Sequence, residues 1–156
     1  MSAVRFDDRV VVVTGAGRNL GRRYALDLAA RGAQVVVNDL GVVLSDTDGT
    51  GVPPPRNPAF DVVDEITAAG GVAVANTDSV SDPGGADALV RAALDAFGRL
   101  DAVINNAGVV RQAPVGEQTA AVYGPVVASQ IHGHLEVTRA AWPALVESGK
   151  GRILNV

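Results

Sequence analysis

The chain has 156 residues, 13 Lys and Arg against 17 Asp and Glu, a formal net charge of −4, and no cysteine. The acidic balance argues against a nucleic-acid binder, which presents a basic face. The missing cysteines remove disulfides, thiolate catalysis and cysteine-ligated metal. Hydrophobic residues make up 47% and charged residues 19%, too apolar for a disordered chain. No apolar run approaches the roughly 18 residues of a membrane span, and Met1 to Asp8 lacks the apolar core of a signal peptide. A single soluble, cytoplasmic domain is expected, with neither nucleic acid nor membrane as partner.

Apolar runs and helical patterns alternate. Arg9–Thr14 (R-V-V-V-V-T) is a β-branched run too short for a helix and reads as a fully buried strand. The spacing predicts a helix over Leu20–Arg31, with Leu20, Tyr24 and Leu28 on one face and Gly32 at its C-terminal stop. Gln34–Asp39 (Q-V-V-V-N-D) is a second strand. Leu40–Pro58, rich in Gly, Pro and Asp, breaks the rhythm. It reads as a mobile surface insertion or as a flap leaving the second strand. A helix over Phe60–Ala69 and a strand over Val72–Asn76 follow. Ser81-Asp82-Pro83 predicts a cap with proline at the first helical position, opening a helix that stops at Gly98. Asp101–Asn105 is a fourth strand. A long helix over Pro125–Ser148, kinked at Pro143, leads to a fifth strand over Gly151–Val156. Strands alternating with helices predict an α/β fold with a doubly wound parallel sheet of Rossmann type.

The stretch richest in chemistry is Thr14-Gly15-Ala16-Gly17-Arg18-Asn19-Leu20-Gly21, between a strand and a helix, where such a motif carries meaning. A pyrophosphate there would meet free backbone N–H groups and the positive end of a helix dipole. The spacing is neither G-x-G-x-x-G nor a Walker A loop. Asp39, at the end of the second strand, can accept hydrogen bonds from ribose hydroxyls, whereas a 2′-phosphate would face its charge. This favours NAD over NADP. Arg18 cuts the other way if it pairs with that phosphate, and reads equally as an exposed loop charge. His132 and His134 lie two apart, point to different helix faces, and read as exposed or interfacial. No metal site is expected.

The T-G-x-x-x-x-x-G turn after strand one and Asn105-Asn106-Ala107-Gly108 after strand four resemble the short-chain dehydrogenase/reductase family, and the match runs the length of the chain. The resemblance implies a cofactor site built by Gly15, Arg18, Asn19, Leu20, Gly21, Asp39, Leu40, Asp78, Ser79, Asn106, Ala107 and Gly108. Asp78 would meet the adenine ring, and Asn105–Gly108 would steady the sheet and lie against the cofactor. Val35–Gly41, the insertion and V-A-N-T-D-S-V further resemble the (3R)-hydroxyacyl-CoA dehydrogenase domain of peroxisomal multifunctional enzyme type 2 and related bacterial oxidoreductases. The family's middle glycine is Asn19 here. Asn tolerates positive φ better than other side chains.

The family's catalytic Ser and Tyr-x-x-x-Lys find no match. Tyr24 and Tyr123 are followed four residues on by Leu28 and Val127, and Lys150 is the sole lysine. The family's catalytic Asn aligns with Gln130, whose amide offers the same groups one methylene further out. The resemblance implies an NAD-dependent oxidoreductase acting on an alcohol, ketone or acyl-CoA, with these residues binding cofactor but not turning over. It also implies a homodimer or homotetramer through helix 125–148, where Trp142, Leu145 and Val146 read as packing residues. The family order 3-2-1-4-5-6-7 makes this the first five of seven strands in one domain spanning 1–156. It leaves an apolar strand at an open edge, which predicts further chain beyond Val156. The alternatives are a non-catalytic dinucleotide-binding or interaction protein on the same fold, and an unrelated flavodoxin-like domain.

Overall fold

The computed structural model of the chain describes residues 4–42 and 55–156. Its elements are β1 (Val10–Val13), α1 (Asn19–Ala30), β2 (Gln34–Asn38), α2 (Pro58–Ala68), β3 (Val72–Asn76), α3 (Gly85–Phe97), β4 (Ala102–Asn105), α4 (Ala120–Val127), α5 (His134–Glu147) and β5 (Arg152–Asn155). Residues 43–54 of the predicted insertion lie outside the described residues.

The five strands pair in parallel in the order β3-β2-β1-β4-β5. That is the expected doubly wound arrangement, with the order reversing between β1 and β4. Alternate residues of β1 feed opposite faces. Val10 and Val12 join Leu89, Val103, Val137, Ala141 and Leu145 beneath α3 and α5. Val11 and Val13 join Val35, Val37, Ala25, Ala29, Val62 and Ile66 beneath α1 and α2. Burial on both faces explains why these strands read as unbroken apolar runs.

Three sequence expectations are corrected. The inward face of α1 is Gly21, Ala25 and Ala29, while Leu20 is exposed and Tyr24 and Leu28 are half-buried. A helix lying this close to the sheet selects its inner face by size. The helix after β3 starts at Gly85 rather than at Pro83. Residues 81–84 form a turn closed by the Gly85 N–H donating to the Asp82 carbonyl at 3.1 Å, with Gly84 at φ 80°. Ser81 does not cap the helix; its own N–H donates to Ser79 Oγ at 3.2 Å. The long helix begins at Ala120, and α5 runs on through Pro143. The irregularity falls earlier, in a π-helical segment over Ala128–Gly133 joining α4 to α5. Pro125, within α4, contributes no N–H, and the Ser129 hydroxyl donates to its carbonyl at 3.0 Å.

Asp101, 2% exposed, closes the sheet's opposite end. Its carboxylate accepts from the Val10 N–H at 2.9 Å, from Arg9 at 3.2 Å and from Arg99 at 2.7 and 2.9 Å. Burial pushes this carboxyl's pKa up. The hydrogen bonds of Arg99, Val10 and Arg9, with the Arg99 charge, outweigh burial and hold it below the usual carboxylate value.

Candidate cofactor-binding site

The strand order reverses between β1 and β4, and in such sheets a ligand crevice lies outside the C-terminal strand ends at that point. The glycine turn leaves β1 there. Gly15 takes φ +62°, and a Cβ on it would come 2.9 Å from the Ala107 Cα. A Cβ on Gly21 would overlap the Gly15 carbonyl and the Asn106 amide. Asn19 takes φ 48°, the left-handed conformation expected where the family places glycine. Arg18 stands at the start of α1, and no side chain caps the helix. The first-turn N–H groups are therefore open to an anionic ligand. Asn19→Gly is expected to leave NADH affinity within about tenfold, since the strain of an Asn at positive φ is only about 1 kcal/mol. A hundredfold change in a fluorescence titration would instead give the Asn19 side chain a specific contact.

The two family motifs are tied to each other. The Thr14 hydroxyl, buried, accepts from the N–H of Asn106 at 3.0 Å and of Ala107 at 2.9 Å. The Asn106 amide donates to the carbonyls of Thr14 at 2.9 Å and Gly15 at 3.2 Å. Asn105, fully buried, donates to Asn155 Oδ1 at 2.9 Å and Thr138 Oγ1 at 3.1 Å, joining β4, β5 and α5.

Asp39 lies at the exit of β2. Its Oδ2 accepts the Gly17 N–H at 2.9 Å and its Oδ1 the Gly41 N–H at 2.8 Å. A carboxylate offers about four acceptor directions, so sites remain for further donors. Arg18 reaches past it to donate to the Val42 carbonyl at 3.0 Å. Leu40 is exposed beside them. At the end of β3, Asn76 donates to Asp78 Oδ2 at 2.7 Å, and Asn38 donates to Asn76 Oδ1 at 2.8 Å and to the Asp78 carbonyl at 2.9 Å. These bonds fix Asp78 and the neighbouring Ser79 at the crevice rim.

Gln130 sits in the π-helical segment, exposed, with its Nε2 3.4 Å from the Val109 carbonyl. A Cβ on Gly108 would come 2.7 Å from that same nitrogen, so Gln130 lies directly against the Asn106–Gly108 segment. The fold thus ties Gly15 and Gly21 to Asn106 and Ala107, Gly17 to Asp39, and Gln130 to Gly108, whereas Leu20, Leu40 and Ser79 follow only as chain neighbours of these residues and of Asp78. It also adds residues that sequence reasoning missed. His134 is half-buried, with its Nε2 2.9 Å from the Ala107 carbonyl, so it is not the exposed side chain expected; His132 is exposed. Asn38 and Asn76 are buried. A hint lay in the parallel strand endings N-D and N-T-D, each with Asn one or two residues before the acid. Among the described residues no cluster of three His, Asp or Glu side chains could hold a metal ion.

The fold and this crevice define a dinucleotide-type α/β domain, and comparison gives the family. The short chain dehydrogenase model matches residues 52–156. The chain belongs to the short chain dehydrogenase family. It is 46% identical over 153 residues to the peroxisomal multifunctional enzyme type 2 of Mus musculus, covering 98% of this chain and 20% of that protein. The crystal structure of a short chain dehydrogenase from Mycobacterium avium matches with TM-score 0.81 and 43% identity, over 96% of this chain and 52% of that one. A 7α-hydroxysteroid dehydrogenase complexed with NADH and 7-oxo glycochenodeoxycholic acid matches with TM-score 0.82 and 27% identity, over 96% of this chain and 52% of that one. The chain thus spans about half the length of these solved structures and a fifth of the mouse enzyme. The resemblance drawn from the glycine turn and the Asn-Asn-Ala-Gly segment holds. Among the described residues no helix is long and apolar enough to cross a membrane.

Proposed function

We propose that this chain forms the NAD-binding region of an oxidoreductase that moves a hydride between the nicotinamide ring and a hydroxyl or ketone carbon. The observation that carries the reading is Asp39. Its carboxylate is held by the Gly17 and Gly41 N–H groups at 2.9 and 2.8 Å, beside the uncapped start of α1. In that position it accepts from the 2′- and 3′-hydroxyls of an adenosine ribose, and it repels a 2′-phosphate. Arg18 is engaged at the Val42 carbonyl and would have to leave it to pair with such a phosphate. Both arrangements favour NAD over NADP.

The remaining roles follow from position. The N–H groups of Leu20 and Gly21 and the dipole of α1 hold the pyrophosphate. Asp78 and Ser79 flank the adenine. Asn106, Ala107 and Gly108 wall the end where the nicotinamide lies. The bound nicotinamide supplies the hydride donor or acceptor. Gln130, against Gly108, is placed to offer its amide to a proton relay. The 156 residues hold no Tyr-x-x-x-Lys, so this stretch binds cofactor without turnover. The substrate class is a small alcohol or ketone or an acyl-CoA. We place the protein in the cytoplasm, although the similar mouse enzyme is peroxisomal by name; cell fractionation separates the two. Ile131, at the end of the π-helical segment, and Leu135, Trp142 and Val146 of α5 are all exposed and recur at near-helical spacing. This apolar stripe supports a homodimer or homotetramer through that helix.

Parallel titrations with NADH and NADPH, followed by nicotinamide fluorescence, test the reading. NADH is expected to bind at least about tenfold more tightly than NADPH, and Asp39→Asn to erase most of that difference. Equal or tighter binding of NADPH by the unsubstituted protein overturns the NAD assignment. Binding of neither overturns the cofactor site.

A further inference from the structure

The start of α2 closes onto the residue read as the ribose acceptor. Asn57 makes two side-chain hydrogen bonds in opposite directions. Its Oδ1 accepts the Ala59 N–H at 2.9 Å and caps α2. Its Nδ2 donates to the Asp39 carbonyl at 2.9 Å. Pro58 follows, buried, and a Cβ on Gly17 would come 2.8 Å from both Pro58 Cγ and Asp39 Oδ2. The proline ring therefore covers the same glycine whose N–H the Asp39 carboxylate holds. Asp39 is fixed at both ends, its side chain by Gly17 and Gly41 and its backbone by Asn57. Capping alone needs only an oxygen, and Ser, Thr or Asp supply one equally well. Ser and Thr also carry an O–H donor, but on the same oxygen that caps. Of the good capping side chains, only the Asn amide puts acceptor and donor on two separate atoms that can serve partners in opposite directions.

We propose that Asn57 is a positioning residue of the cofactor pocket, coupling the first turn of α2 to Asp39 and so setting how sharply the site distinguishes a ribose 2′-hydroxyl from a 2′-phosphate. The inference rests on the reading of this crevice as a dinucleotide site. Through Asn57 the exit of β2 at Asp39 is joined directly to the first turn of α2.

Asn57→Ser and Asn57→Ala separate the two bonds. Ser keeps a capping oxygen but is too short to reach the Asp39 carbonyl. Its unfolding midpoint should stay near that of the unsubstituted protein. Its NADH affinity should fall about fivefold, the scale of one hydrogen bond, and the preference for NADH over NADPH should shrink by a similar factor. Ala loses the cap as well, so its midpoint should fall further with no additional loss of preference. If Asn57 is a helix cap and nothing more, Ser will keep the full preference and only Ala will differ, in stability alone; that result overturns the proposal. Should Ser not fold, Asn57→Gly, which a helix start tolerates with little loss of stability, gives the same ratio measurement at low temperature. Failure of the unsubstituted protein to bind either dinucleotide would instead remove the cofactor reading beneath it.

Discussion

Gly21→Ala is expected to lower NADH affinity more than a hundredfold, which is about 2.7 kcal/mol, and to destabilise the fold as well. Intrinsic helix propensity points the other way, since replacing a helical glycine by alanine ordinarily gains about 1 kcal/mol. Tertiary contact decides the sign. The added methyl would overlap the Gly15 carbonyl oxygen and the Asn106 amide nitrogen. The first is backbone. The second is held by bonds to Thr14 and Gly15 at 2.9 and 3.2 Å, so neither can swing aside. Relief requires α1 to move off the turn, which breaks the link between the glycine turn and the segment after β4 and displaces the first-turn N–H groups. Overpacking of this kind costs about 1–3 kcal/mol before any ligand is considered. An NADH titration beside thermal unfolding checks both parts. A variant that is more stable and binds within threefold would show that this turn does not form the anion site.

Asp101→Asn should cost about 2 kcal/mol at pH 7 although the site is far from the crevice. The substitution keeps an oxygen for the Val10 N–H but removes the charge that Arg9 and Arg99 share. Those two arginines reach solvent in part, with side chains 29% and 46% exposed, so the loss falls below that of a fully buried pair. The pH dependence carries the sharper test. The native carboxyl titrates below its ordinary value, so the charged form stabilises the fold. That contribution is complete above the unfolded pKa of about 4. It is lost as the pH falls through the lowered native value. Urea unfolding at a series of pH values should show the gap between Asp101→Asn and the unsubstituted protein closing on acidification. A constant gap from neutral to acid would mean that packing, and not the ion pair, is what the substitution removes.

Much of the architecture was legible because short-range rules suffice for it. Five short β-branched or aliphatic runs bounded by Gly, Asp and Asn read as strands, the central ones buried on both faces, and their alternation with helices leaves few topologies. The glycine turn was readable for a similar reason. Its chemistry comes from backbone N–H groups and from the absence of side chains, and both are written locally. Asn19 at φ 48° illustrates this, since the resemblance put the family's glycine at that position and Asn can occupy the left-handed region. Asn105-Asn106-Ala107-Gly108 was legible as a motif, while its partner in the turn, the Thr14 hydroxyl, was not.

What stayed hidden depends on residues brought together from a distance. The inner face of α1 followed proximity to the sheet, so Ala25 and Ala29 went inside where Tyr24 and Leu28 looked the stronger candidates. His134 looked like a surface histidine until the π-helical segment over Ala128–Gly133 set its ring against the Ala107 carbonyl, 27 residues away. Asn57 read only as the end of an irregular segment, because its second bond goes to a carbonyl 18 residues earlier. The sequence by itself determined the fold class, the family and the crevice where a dinucleotide would lie, since those rest on hydrophobic period and on glycines in fixed local positions. Only the tertiary structure decided how the polar groups around that crevice are held, because a hydrogen bond needs its two atoms within about 3 Å, and only the packed sheet brings Thr14, Asp39, Asn57, Asn76 and His134 to their partners.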